Sequence, residues 1–239
     1  MIKLEHTDVY GFESAIRGMR NPLNSWDKSD SVFHNIDNVA VEDRYKIGEF
    51  EIGENDLKLM KSLSKAGSDH SKFLRMINVT CDVIAPLYWW KEFDTYKVGT
   101  VANSCSTMHK IAEKEFTMED FSCEHLISDR HLCYEQDVMI PQDYNSTPKE
   151  LLYIIIGGLN VYREKYLETK DKKYWWQMIQ LLPSSYNQKR TVQLNYQVLK
   201  SIYFARRNHK LDEWHDFAVW CETLPYFKEI CIQEGDKSE

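Results

Sequence analysis

The chain is predicted to be an α+β protein, mixing strands and helices in its N-terminal part and becoming largely helical in its C-terminal half. The strand evidence is at residues 76–83, where Ile77, Val79, Cys81 and Val83 alternate with Met76, Asn78, Thr80 and Asp82, the period of a half-buried strand. The helical evidence is at residues 148–167, where Leu151, Leu152, Ile155, Leu159 and Tyr162 recur at helical spacing. The 239 residues contain no repeat, low-complexity tract or flexible linker, so a single domain spanning 1–239 with a full hydrophobic core is expected.

Residues 2–9 are weakly strand-like and lead into a short helical stretch at 12–19. A polar loop follows, with Arg17, Arg20, Asn21, Pro22, Asn24, Ser25, Trp26, Asp27, Lys28, Ser29 and Asp30. It reads either as a solvated loop or, through its two Arg and one Lys among hydroxyls and amides, as a phosphate-contacting one. Residues 1–50 thus form an N-terminal strand and polar loop. Leu57, Met60 and Leu63 predict a helix over 55–66, with Asn55 as N-cap and Gly67 as its stop. The strand at 76–83 ends at Pro86, which suits the first turn of a helix continuing over 87–93.

Thr147, Pro148 and Glu150 give an N-cap, an N1 proline and an N3 carboxylate for the helix over 148–167. Gly157 and Gly158 weaken that helix by roughly 1 kcal/mol each against Ala and predict close approach by another backbone. Further helices are predicted over 172–182, 189–207 and 211–223, with Pro225 after the last.

A net charge of −7 argues against broad binding to a nucleic acid polymer, which needs a basic surface, but allows a local cation cluster around one small anion. The N-terminus lacks the apolar core of a signal peptide and no stretch approaches a membrane span, so a soluble cytoplasmic chain without membrane partners is expected. The six cysteines lack the dense spacing of a secreted scaffold and read as reduced thiols. Most of the seven Trp and fourteen Tyr are expected in the core or at a subunit interface.

Several enzyme classes lack their signatures. There is no Gly-x-Ser-x-Gly elbow, no cysteine with an evident base, no Walker loop and no dinucleotide glycine fingerprint. Cys123, His125, His131 and Cys133 offer zinc-type ligands, but a Cys-x-His followed by a His-x-Cys fits none of the common structural patterns. A zinc protein is the weakest of three readings, and no metal ligand is assigned. What remains is the polar run 97–109, where Gly99 permits a sharp bend and Lys97, Thr100, Asn103, Ser104 and Ser106 supply a cation and short hydrogen-bonding groups. Such a run suits an anionic nucleotide.

Together with residues 183–214, this stretch resembles the flavin-dependent thymidylate synthases. In that family a proline-started helix runs into Arg-His-Arg, two residues, a Ser, one residue, an Asn, two residues, a Ser, one residue, an Arg and a Tyr. Counted from Pro86, Thr95, Tyr96 and Lys97 stand in place of Arg-His-Arg, and Thr100 stands for the first Ser. One inserted residue brings Asn103 onto the Asn and Ser106 onto the second Ser; Met108 and His109 replace the Arg and Tyr. The second region matches by spacing: Leu182 and Pro183, Asn195, Leu199, Arg206 or Arg207, and Trp214, with Ile179 where the family has an Arg. A helix, a turn at His70 and Ser71 and a strand containing Thr80 also follow the family order, so the resemblance covers residues 55–220.

The resemblance implies transfer of a one-carbon unit from methylenetetrahydrofolate to C5 of a pyrimidine deoxynucleotide, dUMP or a related one, with FAD as hydride carrier and NADPH as reductant. It places Lys97, Thr100, Asn103, Ser104, Ser106 and Arg206 or Arg207 on the nucleotide, and His70, Ser71, Tyr96, His109 and Asn195 on the flavin side. It assigns no catalytic nucleophile, and implies a homo-oligomer, in the family a tetramer. The lost cations open an altered pyrimidine substrate, with the 17–28 loop supplying replacement charge. They also open an alternative: a noncatalytic nucleotide-binding or interaction protein that keeps the fold without the flavin site.

Overall fold

Strand β1 (Lys3–Tyr10) leads through helix α1 (Phe12–Arg20) to two short strands, β2 (Val32–Phe33) and β3 (Phe50–Glu51), and then to helix α2 (Glu54–Lys65). This computed structural model describes residues 1–33, 50–129 and 146–232. Strand β4 (Asn78–Pro86) runs directly into α3 (Leu87–Phe93), and β5 (Val101–Ser104) precedes the single-turn α4 (Thr107–Lys110). Helices α5 (Pro148–Thr169) and α6 (Lys172–Leu181) come before β6 (Asn187–Asn195), which is followed by α7 (Tyr196–Arg206), α8 (Asp212–Thr223) and α9 (Phe227–Cys231). One sheet has the order β1-β4-β6-β5, and β2 pairs antiparallel with β3. The architecture is mixed α+β, as predicted. Among the described residues no helix is long and apolar enough to cross a membrane.

The chain divides into two compact units. The first comprises Met1–Lys3, Val83–Thr95 and Asn103–Arg190. Its core joins Leu152, Ile156 and Leu159 of α5 to Met178 of α6 and to Ile111, Phe116 and Phe121. Helix α5 begins as its sequence predicts. The Thr147 hydroxyl accepts from the Glu150 amide at 3.2 Å, the Glu150 carboxylate accepts from the Thr147 amide at 2.8 Å, and Pro148 occupies the first turn. Asn160 fastens its middle, pairing with both the N–H and the C=O of Phe116 at 2.9 Å.

The second unit comprises Leu4–Asp82, Tyr96–Ala102 and Thr191–Glu239. Phe12 stacks on Phe50 at 4.6 Å and meets Tyr196 edge-on at 5.7 Å, while Tyr196 in turn meets Phe227. Beside this aromatic core lies a buried ion pair, Arg20 to Asp56 at 2.6 Å. The rest of the Arg20 guanidinium donates to the carbonyls of Ser25 and Lys28, both at 3.0 Å. The second Asp56 oxygen accepts from the hydroxyls of Ser29 and Ser31 and the amides of Asp30 and Ser31. The polar loop is therefore organised from inside, and Arg20 is committed to it rather than offered to a ligand.

Four local expectations change. Asn55 is not an N-cap: α2 starts one residue earlier behind Gly53, and the Asp30 carboxylate reaches over to accept from the amides of Asn55 and Asp56 at 2.9 and 3.1 Å. Pro86 is the cap of α3 rather than its first residue. The predicted helix over 189–207 is a strand for its first third, because Val192 and Leu194 alternate with Thr191, Gln193 and Asn195 and one face is buried. Finally, a Cβ built on Gly157 or Gly158 meets nothing within 4 Å, so the expected close approach does not come from the described chain.

Burial pushes the Asp56 carboxyl up, but hydrogen bonds from Ser31, Ser29 and Arg20, and the charge of Arg20, outweigh it and hold the pKa below the ordinary aspartate value. Because the folded value lies below the unfolded one, the stabilisation is complete above the unfolded value of about 3.9 and is lost as pH falls through the folded value. Asp56→Asn is expected to flatten the acid limb of a Tm-against-pH curve. Arg20→Met, which strands a buried carboxylate, is expected to cost about 3–5 kcal/mol in urea unfolding.

Candidate functional site

In the second unit the candidate residues gather around the start and end of α7. Asn195 is the last residue of β6 and the N-cap of α7, its side-chain oxygen accepting from the Val198 amide at 3.0 Å. The Tyr196 amide donates to the Ile77 carbonyl at 3.0 Å, and the Ser71 hydroxyl donates to Gln197 at 2.9 Å. The predicted His70–Ser71 turn is thus brought to α7 through buried Ser71, while His70 remains exposed. Gly99 also closes on this junction. Its φ is +79°, and an added Cβ would lie 3.0 Å from Val198 Cγ2 and 3.2 Å from Asn195 Nδ2.

At the other end of α7, Arg206 Nε donates to the Tyr96 hydroxyl at 2.8 Å. The same guanidinium lies 5.6 Å from the Tyr96 ring and 5.2 Å from the buried Trp214 ring, which Tyr96 meets edge-on at 6.3 Å. Arg207 points elsewhere, against Phe204 at 4.8 Å and Tyr203 at 5.7 Å. Of the two arginines that spacing left open, Arg206 is the one gathered with Tyr96 and Trp214. Thr100 donates its hydroxyl to the Tyr96 carbonyl, tightening the turn, and Lys97 stays exposed.

In the first unit, Asn103 and Ser104 lie exposed on β5. Ser106 caps the single turn of α4 by accepting from the His109 amide at 3.0 Å. Residues 101–104 form a short strand with no buried face, which left no alternation to read in the sequence. Cys105 is tied on both sides: its amide donates to the Lys189 carbonyl and its carbonyl accepts from Gln188, both at 2.9 Å. His109 opens onto a groove of about 420 Å³ lined by Met108, Tyr166, Lys170, Lys172 and Trp175, and Trp175 donates to the Met108 carbonyl at 3.0 Å. Sequence reasoning missed this groove, and also Arg190, which stacks on Trp90 at 4.2 Å while donating to Gln188 and Asp94. A strand assignment for residues 187–195 would have separated Arg190 from its neighbours on the opposite face.

Nucleophilic chemistry finds little support in the buried thiols. Burial pushes Cys81 and Cys231 up to about 12 and raises Cys221 as well, so all three stay protonated. Of the zinc-type ligands, His131 and Cys133 lie outside the described residues. Among the described residues no group of three His, Cys, Asp or Glu is placed to hold a metal.

Asn195→Ala is expected to cost about 1 kcal/mol by removing a cap. Gly99→Ala is expected to cost about 1–2 kcal/mol, from a side chain in the left-handed region with a crowded Cβ. Both are readable in thermal or urea unfolding.

No family model matches the sequence, and no curated protein matches it by sequence. Solved structures do match by fold. Thymidylate synthase X (ThyX) from Helicobacter pylori, with FAD and dUMP, superimposes with a TM-score of 0.63 over 97% of this chain and 98% of that one, at 15% identity. A second structure of that enzyme with the same two ligands gives 0.62 over 96% and 98%, again at 15% identity. The UMP/dUMP methylase PolB from Streptomyces cacaoi, bound with 5-Br dUMP, gives 0.52 over 93% and 91%, at 14% identity. Over nearly its whole length, the chain has the fold of the flavin-dependent thymidylate synthases.

Proposed function

We propose that the chain is a flavin-dependent thymidylate synthase-like enzyme that methylates C5 of a pyrimidine deoxynucleotide, dUMP or a close relative. What carries the proposal is the end-to-end likeness in fold to an enzyme holding FAD and dUMP. The local chemistry fits such ligands: residues 95–112 supply hydroxyls, amides and cations and contain no carboxylate. In this proposal Arg206, oriented by Tyr96 and flanked by Trp214, binds the base or phosphate, and exposed Lys97 supplies a second positive charge. Asn103 and Ser104 donate hydrogen bonds to phosphate oxygens. Thr100, Ser106 and Asn195 each hold nearby backbone, Ser71 holds the Gln197 side chain, and His70 and His109 remain exposed toward solvent or ligand.

Reduced FAD, when bound, supplies the hydride, which is why no protein nucleophile is required. Methylenetetrahydrofolate as carbon donor, NADPH as reductant, a homotetramer and a cytoplasmic location belong to the same proposal. Arg20 cannot replace the lost cations of the family motif, since it is buried against Asp56; of the 17–28 loop, exposed Arg17 and Lys28 are left to supply such charge beside Lys97 and Arg206.

A noncatalytic nucleotide-binding role is the alternative, favoured by Thr95, Tyr96 and Lys97 in place of Arg-His-Arg and by the internal use of the Thr100 and Ser106 hydroxyls. The absorption spectrum of the purified protein with and without added FAD separates the two. A bound flavin band supports the enzyme, and dUMP binding without flavin supports the alternative. Thermal shift with neither ligand overturns both. Arg206→Ala is expected to weaken dUMP binding at least tenfold in calorimetry, whereas Arg207→Ala leaves it within about twofold, a difference of about 1 kcal/mol or more.

A further inference from the structure

Only Lys170 and Asp171 join α5 to α6. Lys170 has a φ of +57°, the left-handed conformation that glycine usually takes at the end of a helix. Glycine would close this turn with less strain, so what the lysine adds is its side chain. Its ammonium lies 5.8 Å from the Tyr166 ring, and that of Lys172, across the turn, lies 5.8 and 5.5 Å from the rings of Trp175 and Trp176. Asp171 between them is already engaged: its carboxylate accepts from the Lys173 amide and pairs with the Lys173 ammonium, both at 3.0 Å. Among the described residues neither Lys170 nor Lys172 pairs with a carboxylate.

Both lysines line the groove onto which His109 opens, a groove built wholly from the first unit and lined by no carboxylate. The bond from its indole N–H to the Met108 carbonyl fixes the Trp175 ring before any ligand arrives. Trp176 meets Trp175 edge-on at 4.7 Å but stands outside the groove, 43% exposed. Cations and rings therefore alternate from the groove out past its rim. One small anion would fill the groove and leave Trp176 to water. A strand of nucleotides uses both, with phosphates on the lysines and successive bases on the rings.

We propose that the α5–α6 turn binds a short single-stranded segment of nucleic acid. Lys170 and Lys172 hold neighbouring phosphates, one base lies in the groove against Trp175 with His109 donating a hydrogen bond, and the next base stacks on Trp176. A net charge of −7 over the whole chain opposes a longer contact, so the footprint is confined to this turn. The site shares no residue with the Arg206 cluster and does not rest on the methylation proposal.

Fluorescence anisotropy of a labelled adenylate decamer, titrated with the full chain at low salt, tests the site. Binding is expected to weaken with salt along a log–log slope of about −1.4, the value for two phosphate contacts on a single strand. Lys170→Gly is expected to keep the melting temperature, because glycine suits the turn, and to weaken binding at least threefold with a slope smaller by about 0.7. Trp176→Ala, at an exposed position, is expected to weaken binding by about fivefold or more, the lower end of what one stacked base contributes. Lys228→Ala, which removes an exposed charge in the other unit, is expected to leave binding within about twofold. The same sequence in a duplex is expected to bind at least tenfold more weakly, and excess dUMP to displace nothing. Absence of binding at low salt overturns the proposal, as do displacement by dUMP, an equal affinity for duplex, or folded Lys170→Gly and Trp176→Ala variants that bind like wild type. Binding of phosphatidylserine vesicles without binding of the decamer assigns the turn to a membrane surface and overturns it too.

Discussion

Strand β6 becomes helix α7 with no loop between them, and the turn is made at Asn195. The first amides of a helix have no partners inside it, so a strand can feed directly into a helix only if something else takes them. Here the Asn195 side chain takes the amide of Val198, and the Ile77 carbonyl takes that of Tyr196. This fixes where α7 starts and the direction in which it leaves the sheet. Gly99 closes on the same point from another part of the chain, Ser71 is bonded to Gln197 in the first turn, and Arg206 is delivered three turns later beside Tyr96 and Trp214.

The polar candidate residues of the two units divide by what their side chains do. Asn195, Ser71, Thr100 and Ser106 each hold backbone or a neighbouring side chain, and a mutation there would act first through stability. Lys97, Asn103 and Ser104 are exposed and make no side-chain hydrogen bond among the described residues, leaving their donors for solvent or a ligand. Arg206 donates to the Tyr96 hydroxyl and lies beside the Tyr96 and Trp214 rings.

The periodic parts of the fold were legible in the sequence. Strand β4 shows strict alternation, and α5 shows a cap, a proline and a carboxylate in register, so both follow from local chemistry. The failures share a cause. Residues 189–195 adjoin a true helix and were absorbed into its period; β5 is four small or polar residues whose strand character comes from its neighbours in the sheet; and the Asp30 cap of α2 lies more than twenty residues from the amides it serves. Each depends on a partner distant in sequence, which a local pattern cannot reveal. The choice between Arg206 and Arg207 was of the same kind, since adjacent helical residues point about 100° apart and only the fold says which direction meets Trp214.

The bonds around Asp56 bear on how such a chain can drift. Two of its donors are backbone amides, which any residue but proline provides, and two of the guanidinium's acceptors are backbone carbonyls, which every residue has. Only the arginine, the aspartate and a hydroxyl or two are prescribed by chemistry. A loop held in this way can exchange most of its letters and keep its path, so an inherited backbone can outlast any sequence signature by which its kinship would be recognised.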